Sequence, residues 1–233
     1  MVAIDKPPGR IVIPGRGSAA GERTLRDDVA EAVGAPIFVV HRLDRGTSGV
    51  LLFARTAAAH RALSLAFQRH DVDKRYLALC RGELLGSGEI ARALIPVRGG
   101  IVRPARPGEA GGKPSRTAWR AAERFRGYTL VELRPRSGRL HQVRAHAALL
   151  GFPLAVDRDY AGADRLLRRD LDPRADGAAA DDVVVSRVTL HAWSARLRHP
   201  SGGRALEITS PLPTDMMNAL TILRDARARG ATK

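Results

Sequence analysis

The sequence holds one cysteine, Cys80, in 233 residues. No intrachain disulfide can form, and its place inside the apolar run Tyr76 to Cys80 gives it the role of a small buried hydrophobe. No apolar stretch approaches the ~20 residues that a membrane-spanning helix needs. Asp5, Lys6, Pro7 and Pro8 stand where a secretion signal would require unbroken apolar residues. A cytoplasmic protein without a membrane partner is therefore expected. Metal motifs are missing too: there is no HExxH and no paired-cysteine pattern, and His141 and His146 lie five apart rather than the four that puts two ligands on one helix face. No GxxxxGK[ST] phosphate loop occurs, and no fixed-period repeat or heptad pattern runs through the chain. Lysine is scarce, with only Lys6, Lys74, Lys113 and Lys233 among 39 basic residues.

What is present is positive charge. The formal net charge is +15 and the sequence pI is near 11.3, an excess that calls for a polyanionic partner, nucleic acid ahead of a membrane surface. The length fits one domain over residues 1–233, and no linker divides it.

The segment HRLDRGTSGVLLFA, from His41 to Ala54, carries the chemistry. Arg42 and Arg45 flank Asp44, Gly46 to Gly49 read as a loop, and Val50 to Phe53 as a buried strand. Guanidinium charge around a loop carboxylate favours its ionised form, which suits a nucleophile or a base better than a general acid. The alternative is a turn aspartate bonding its own backbone beside solvated arginines.

This segment resembles the first signature of the RluA-type pseudouridine synthases, in which His-Arg-Leu-Asp followed by Thr-Ser-Gly carries the catalytic aspartate. Two further segments resemble that family in the same order: KRYLALCRG, Lys74 to Gly82, and SGRLHQVRAHAALLGFPLAVDRDYAG, Ser137 to Gly162. Weaker matches are AIDKPPG at Ala3 to Gly9 and SRVTLHAW near Trp193. The resemblance spans roughly residues 1 to 217 and covers the catalytic domain; with no S4-like domain ahead of it, either a naturally compact member or an incomplete chain is expected. Leu140 stands where the family usually has threonine, and Phe152 where histidine is common.

The resemblance implies an RNA pseudouridine synthase that isomerises a flipped-out uridine of rRNA or tRNA, as a monomer and without a cofactor or metal. Asp44 would be the essential carboxylate and Arg144 its arginine partner. Tyr76 would stack on the target uracil and help move the C5 proton. Arg42 would fill the space left by the flipped base, and Arg45, Lys74, Arg139 and His141 would be further RNA contacts. The rival readings are a catalytically silent RNA-binding protein of the same fold and a glycosidase. The latter would want two acids flanking the bond, and Asp157 and Asp159 are weaker candidates than Asp44.

Patterning supports an α+β fold with a mixed, mostly antiparallel sheet and flanking helices. Thr24 and Asp27 read as a capping box for a helix reaching Val33 and stopping at Gly34. Ile37 to Val40 reads as a short strand, Thr56 to His70 as an amphipathic helix and Arg75 to Cys80 as a strand. The glycine- and proline-rich tract 86–114 reads as a hairpin or an exposed basic loop. Ser115 to Phe125 and Tyr128 to Arg134 should pair around Arg126 and Gly127. Ser137 is the expected N-cap of a helix over Gly138 to Leu150, with Leu140, Val143, Ala147 and Leu150 on its core face and Arg144 at the border. Residues 163–185 read as a mobile surface insertion. Ser186 to Arg198 and Arg204 to Ile208 are two strands, and Thr214 begins a last helix.

Overall fold

The computed structural model describes residues 1–15, 18–160 and 163–231. Arg16 and Gly17 lie outside them, as do the last two residues of the Ser137 to Gly162 segment. In chain order the strands are β1 (Val2–Lys6), β2 (Phe38–Val39), β3 (Ser48–Ala54), β4 (Asp73–Arg81), β5 (Ser87–Ala91), β6 (Leu94–Pro96), β7 (Val102–Pro104), β8 (Arg116–Phe125), β9 (Tyr128–Pro135), β10 (Leu166–Leu167), β11 (Val183–Val185), β12 (Leu190–Arg198) and β13 (Ala205–Thr209). The α-helices are α1 (Leu25–Val33), α2 (Ala57–Gln68), α3 (Gln142–Leu149), α4 (Arg168–Leu171) and α5 (Thr214–Ala231). The β1–β3, β2–β3, β4–β9, β5–β8, β6–β7, β8–β9, β10–β11 and β12–β13 pairs are antiparallel.

The chain forms two compact units, residues 1–75 with 192–211, and residues 76–191 with 212–233. No long linker announces the division: two of its three boundaries fall inside β4, between Arg75 and Tyr76, and inside β12, between His191 and Ala192, and the third lies in the short connection between β13 and α5, at Pro211 and Leu212.

In the first unit, β3 pairs with β1 from Val2 opposite Phe53 to Lys6 opposite Gly49, and β2 pairs with the far end of β3. All seven residues of β3 are buried, as expected of a continuous apolar run covered on both faces. Val50, Leu52 and Ala54 pack with Ala59 and Leu63 of α2 and with Ala195 and Leu197 of β12. Helix α2 is capped by Thr56, whose hydroxyl accepts from the Ala59 amide. The α1 capping box forms as the sequence implies, and Gly34 ends the helix in the left-handed region at φ 67°.

The second unit holds an antiparallel sheet in the order β4-β9-β8-β5, in which only β8 and β9 are consecutive in the chain. Alternation along β4 sorts its side chains to two faces. Ala78 and Cys80 join Val131 and Leu133 of β9 against Val143 and Ala147 of α3. Leu79 faces the other way, into a cluster with Ala219, Leu220 and Leu223 of α5. Burial pushes the Cys80 thiol up to about 12, so it stays protonated and inert.

The structure departs from the sequence expectation at two places. Helix α3 begins at Gln142, not after Ser137. The Ser137 hydroxyl accepts from the Arg116 amide and donates to the Gln142 side chain, so it serves the strand–helix junction instead of a cap. Residues 163–185 are not a bare surface insertion either: Leu166, Leu171 and Val185 are part of the core beside α5. The many charged residues of that tract hid three apolar anchors. Among the described residues, no helix is long and apolar enough to cross a membrane.

Candidate active site

Asp44 sits half-buried on the loop ahead of β3, and the loop is held by its backbone. Its carbonyl accepts from the Thr47 amide at 3.1 Å, and the Arg45 carbonyl accepts from the Gly9 amide at 2.8 Å. The Arg45 carbonyl also accepts from Lys6 Nζ at 3.0 Å, and Lys6 reaches the Pro7 carbonyl at 2.9 Å. Lys6 is fully buried at the end of β1. A buried ammonium is costly unless its protons are bonded, so these carbonyls make the lysine a tie between β1 and the loop. The sequence marks Lys6 only as part of the weaker AIDKPPG match, next to two prolines.

The loop feeds β3 through Gly49, at φ 110°. A Cβ there would come within 2.2 Å of the Ala192 carbonyl oxygen. Only glycine fits both the dihedral and the space. His41 anchors the other end: its Nε2 accepts from the Leu52 amide at 3.0 Å and its ring stacks on Phe67. Burial, helped by the charge of Lys74, lowers the His41 pKa from the ordinary 6.5 to about 3. The ring is therefore neutral, and an acceptor at Nε2, across the physiological range.

Among the expected RNA contacts of this unit, Arg42 and Arg45 are exposed. Arg45 pairs with Glu22 at 2.8 Å. Lys74 is only half-exposed, and burial lowers its pKa.

In the second unit Tyr76 lies half-buried at the edge of the cluster formed by Ala78, Val131 and Val143, opposite Leu133 of β9. Arg144 is more enclosed than a border position implies, at 5% exposure. Its Nε donates to Asp157 Oδ2 at 2.7 Å and its Nη2 to Asp157 Oδ1 at 2.5 Å, a bidentate fork. Asp159 also accepts from Nη2, at 2.6 Å. The two carboxylates that looked weaker than Asp44 thus take bonds from the Arg144 fork, and Asp157 is itself fully buried. The guanidinium also lies over the Tyr160 ring at 5.2 Å.

His141 stands beside this group, edge-on to Tyr160 and 4.0 Å from Asp159. Its backbone is in the left-handed region at φ 48°, unusual for a residue with a Cβ and a mark of constraint immediately before the Arg144 helix. Arg139 is exposed, donating to the Pro114 carbonyl at 3.3 Å. The sequence assigns no role to Tyr160 or Gln142, weighs Asp157 only as a lesser acid and considers His146 only as a metal ligand; the one signal for their place here is enclosure within the third signature segment.

The RNA pseudouridylate synthase family matches residues 1–149. The chain is 36% identical over 229 residues to ribosomal large subunit pseudouridine synthase D of Nitrosomonas europaea, covering 97% of this chain and 63% of that protein. It is 36% identical to the synthase D of Xanthomonas campestris pv. campestris, over 99% of this chain and 69% of the other. Similarity to synthase C of Pasteurella multocida is 34%, over 98% and 67%. The chain thus spans about two-thirds of the length of these relatives, and less than that of the first. Among solved structures, the human RNA pseudouridylate synthase domain containing 4 shares the fold, with TM-score 0.74 at 22% identity over 95% of this chain and 89% of that one. By sequence match along nearly its whole length, by its three signature segments and by its fold, this chain belongs to the RNA pseudouridylate synthase family.

Proposed function

We propose that this protein isomerises uridine to pseudouridine in RNA, with Asp44 as the essential carboxylate. The observation that carries the reading is the Asp44 loop: a half-exposed carboxylate flanked by arginines and fixed through the Arg45 carbonyl by a buried lysine. Such a frame keeps the acid in place while leaving it reachable, which suits a group that must act on a bound nucleotide.

The reaction breaks the bond from C1′ to N1 of uracil and forms one from C1′ to C5. The C5 proton leaves and N1 gains a proton, so the atoms balance without an oxidant, a donor group or an energy source. A paired or stacked uridine has to leave the helix before its sugar and base are accessible. Tyr76 stacks on the uracil, an interaction of about 1 to 3 kcal/mol, and its phenol serves the proton leaving C5. Arg144 supplies the guanidinium that the family resemblance assigns to the aspartate. Arg42 takes the place of the flipped base, and Arg45, Lys74, Arg139 and His141 bind RNA around it.

The formal charge of +15 supports RNA as the partner. The relatives named for the ribosomal large subunit favour rRNA over tRNA as substrate. On this reading the protein works as a monomer in the cytoplasm. The test uses 23S rRNA and tRNA transcripts carrying uridine tritiated at C5, incubated with the protein alone. Tritium should appear in water from the rRNA, in proportion to the pseudouridine formed. Binding without release would make the protein a silent RNA binder, and loss of intact uracil would make it a glycosidase.

A further inference from the structure

Helix α3, which carries Arg144, has eight residues and an irregular start. Its N-cap is His141, in the left-handed region and without a side-chain cap bond. A helix this short has little intrinsic stability and must be fixed by its surroundings.

Buried side chains from distant segments supply that fixing. Ser137 Oγ donates to Gln142 Oε1 at 2.7 Å, and the Arg139 amide donates to the same oxygen at 3.1 Å. Gln142 Nε2 donates to the Arg116 carbonyl at 2.9 Å and to Thr117 Oγ1 at 3.0 Å. Thr117 Oγ1 lies 2.8 Å from His146 Nδ1, and His146 Nε2 lies 3.1 Å from the Arg92 carbonyl. A carbonyl only accepts, so Nε2 carries the ring proton and Nδ1 of the neutral ring accepts the Thr117 hydroxyl proton. Burial favours that neutral ring, lowering the His146 pKa, with the Arg92 carbonyl acting the other way. Every link then has one direction, and Thr117 joins the halves by accepting from Gln142 and donating to His146. Thr117 and His146 are fully buried and Gln142 nearly so.

The geometry of the helix gives the chain its purpose. Gln142 and His146 are four residues apart and share a face, whereas Arg144, two from each, projects from the opposite side. There Asp157 takes its fork. The helix is thus clamped on one face and its arginine on the other.

We propose that Thr117, acting through Gln142 and His146, is a positioning residue for Arg144. Its consequence for catalysis rests on the role given to Arg144 above; its consequence for the arginine's geometry does not. The test compares Thr117→Val, Thr117→Ser and a control, Thr129→Val. Thr129 is an equally buried threonine whose hydroxyl accepts from the Leu84 amide and donates to the Gly82 carbonyl. Both valine variants lose two hydrogen bonds and should lose similar thermal stability.

Two quantities are read below the melting transition. The first is the NMR signal of the Arg144 Nε proton, assigned by its loss in Arg144→Lys and expected to exchange slowly while bonded to Asp157. The second is kcat and KM on the RNA substrate. Thr117→Val should lose the slow signal and about tenfold or more in kcat, with KM changed less than about twofold. Thr117→Ser should restore both, and Thr129→Val should keep both. A retained signal in Thr117→Val, or a kcat loss no greater than that of Thr129→Val, would overturn the proposal. If the wild-type protein makes no pseudouridine, the functional reading fails, and the Arg144 signal still decides the positioning role.

Discussion

The loop that carries Asp44 and the helix that carries Arg144 hold their charged groups by different means. The loop is held through its own main chain: the Asp44 and Arg45 carbonyls accept from Thr47, Gly9 and Lys6, and the strand that follows is buried throughout. Its carboxylate is left half-exposed. The helix is held through side chains, and Arg144 is enclosed by Asp157, Asp159 and Tyr160. A main-chain frame tolerates exchange of most neighbouring side chains but not of the backbone conformation. A side-chain frame responds in the reverse way, being sensitive to each polar partner because a buried group left alone is costly.

Breaking the side-chain frame should give the larger loss of stability. Arg144→Met leaves Asp157 buried without its fork and should cost about 3 to 5 kcal/mol in urea unfolding, most of it recovered in the double variant with Asp157→Leu. Equal stability of the single and double variants would show that the pair is not coupled. The main-chain frame is broken at Gly49, where alanine meets the Ala192 carbonyl and an unfavourable φ. Gly49→Ala should cost about 3 kcal/mol by the same method, and a loss below about 1 kcal/mol would mean that the loop adapts freely.

Tyr76→Phe keeps the half-buried ring and removes only the phenol oxygen. Tritium release from C5 should slow by about 100-fold while RNA affinity is unchanged; an unaltered release rate would remove the phenol from the proton path.

The smallest effect is expected from acid acting on His41. Its folded pKa of about 3 lies below the ordinary 6.5, so between these values the unfolded chain binds a proton that the native state refuses. Stability should therefore fall as the pH drops below about 6.5, by about 2 kcal/mol at pH 5. In His41→Gln this part of the slope should vanish. Parallel pH profiles for the two proteins would contradict the assignment.

The same contrast explains what the sequence made legible. The α1 capping box, the β8–β9 hairpin and the Asp44 loop are each written in contiguous residues, and local rules suffice for them. The start of α3 was misplaced because Ser137 has the right chemistry for a cap but spends its hydroxyl on Gln142. That choice depends on Arg116 and Thr117, about twenty residues upstream, and on the Arg92 carbonyl further still. Asp157 was read as a lesser acid for the same reason, since only the folded chain puts it on Arg144. Nothing local marks Lys6 as buried either; only the pairing of β1 along β3 carries it inside.

The central claim is that Asp44 performs the chemistry while the rest of these frames hold and bind. Its most direct test is to incubate wild-type protein and Asp44→Asn with rRNA and tRNA transcripts, at concentrations giving equal bound RNA, and to map pseudouridine by carbodiimide-dependent primer-extension stops. New stops with the wild-type protein and none with Asp44→Asn are the predicted result. Stops of equal strength with both proteins would contradict it.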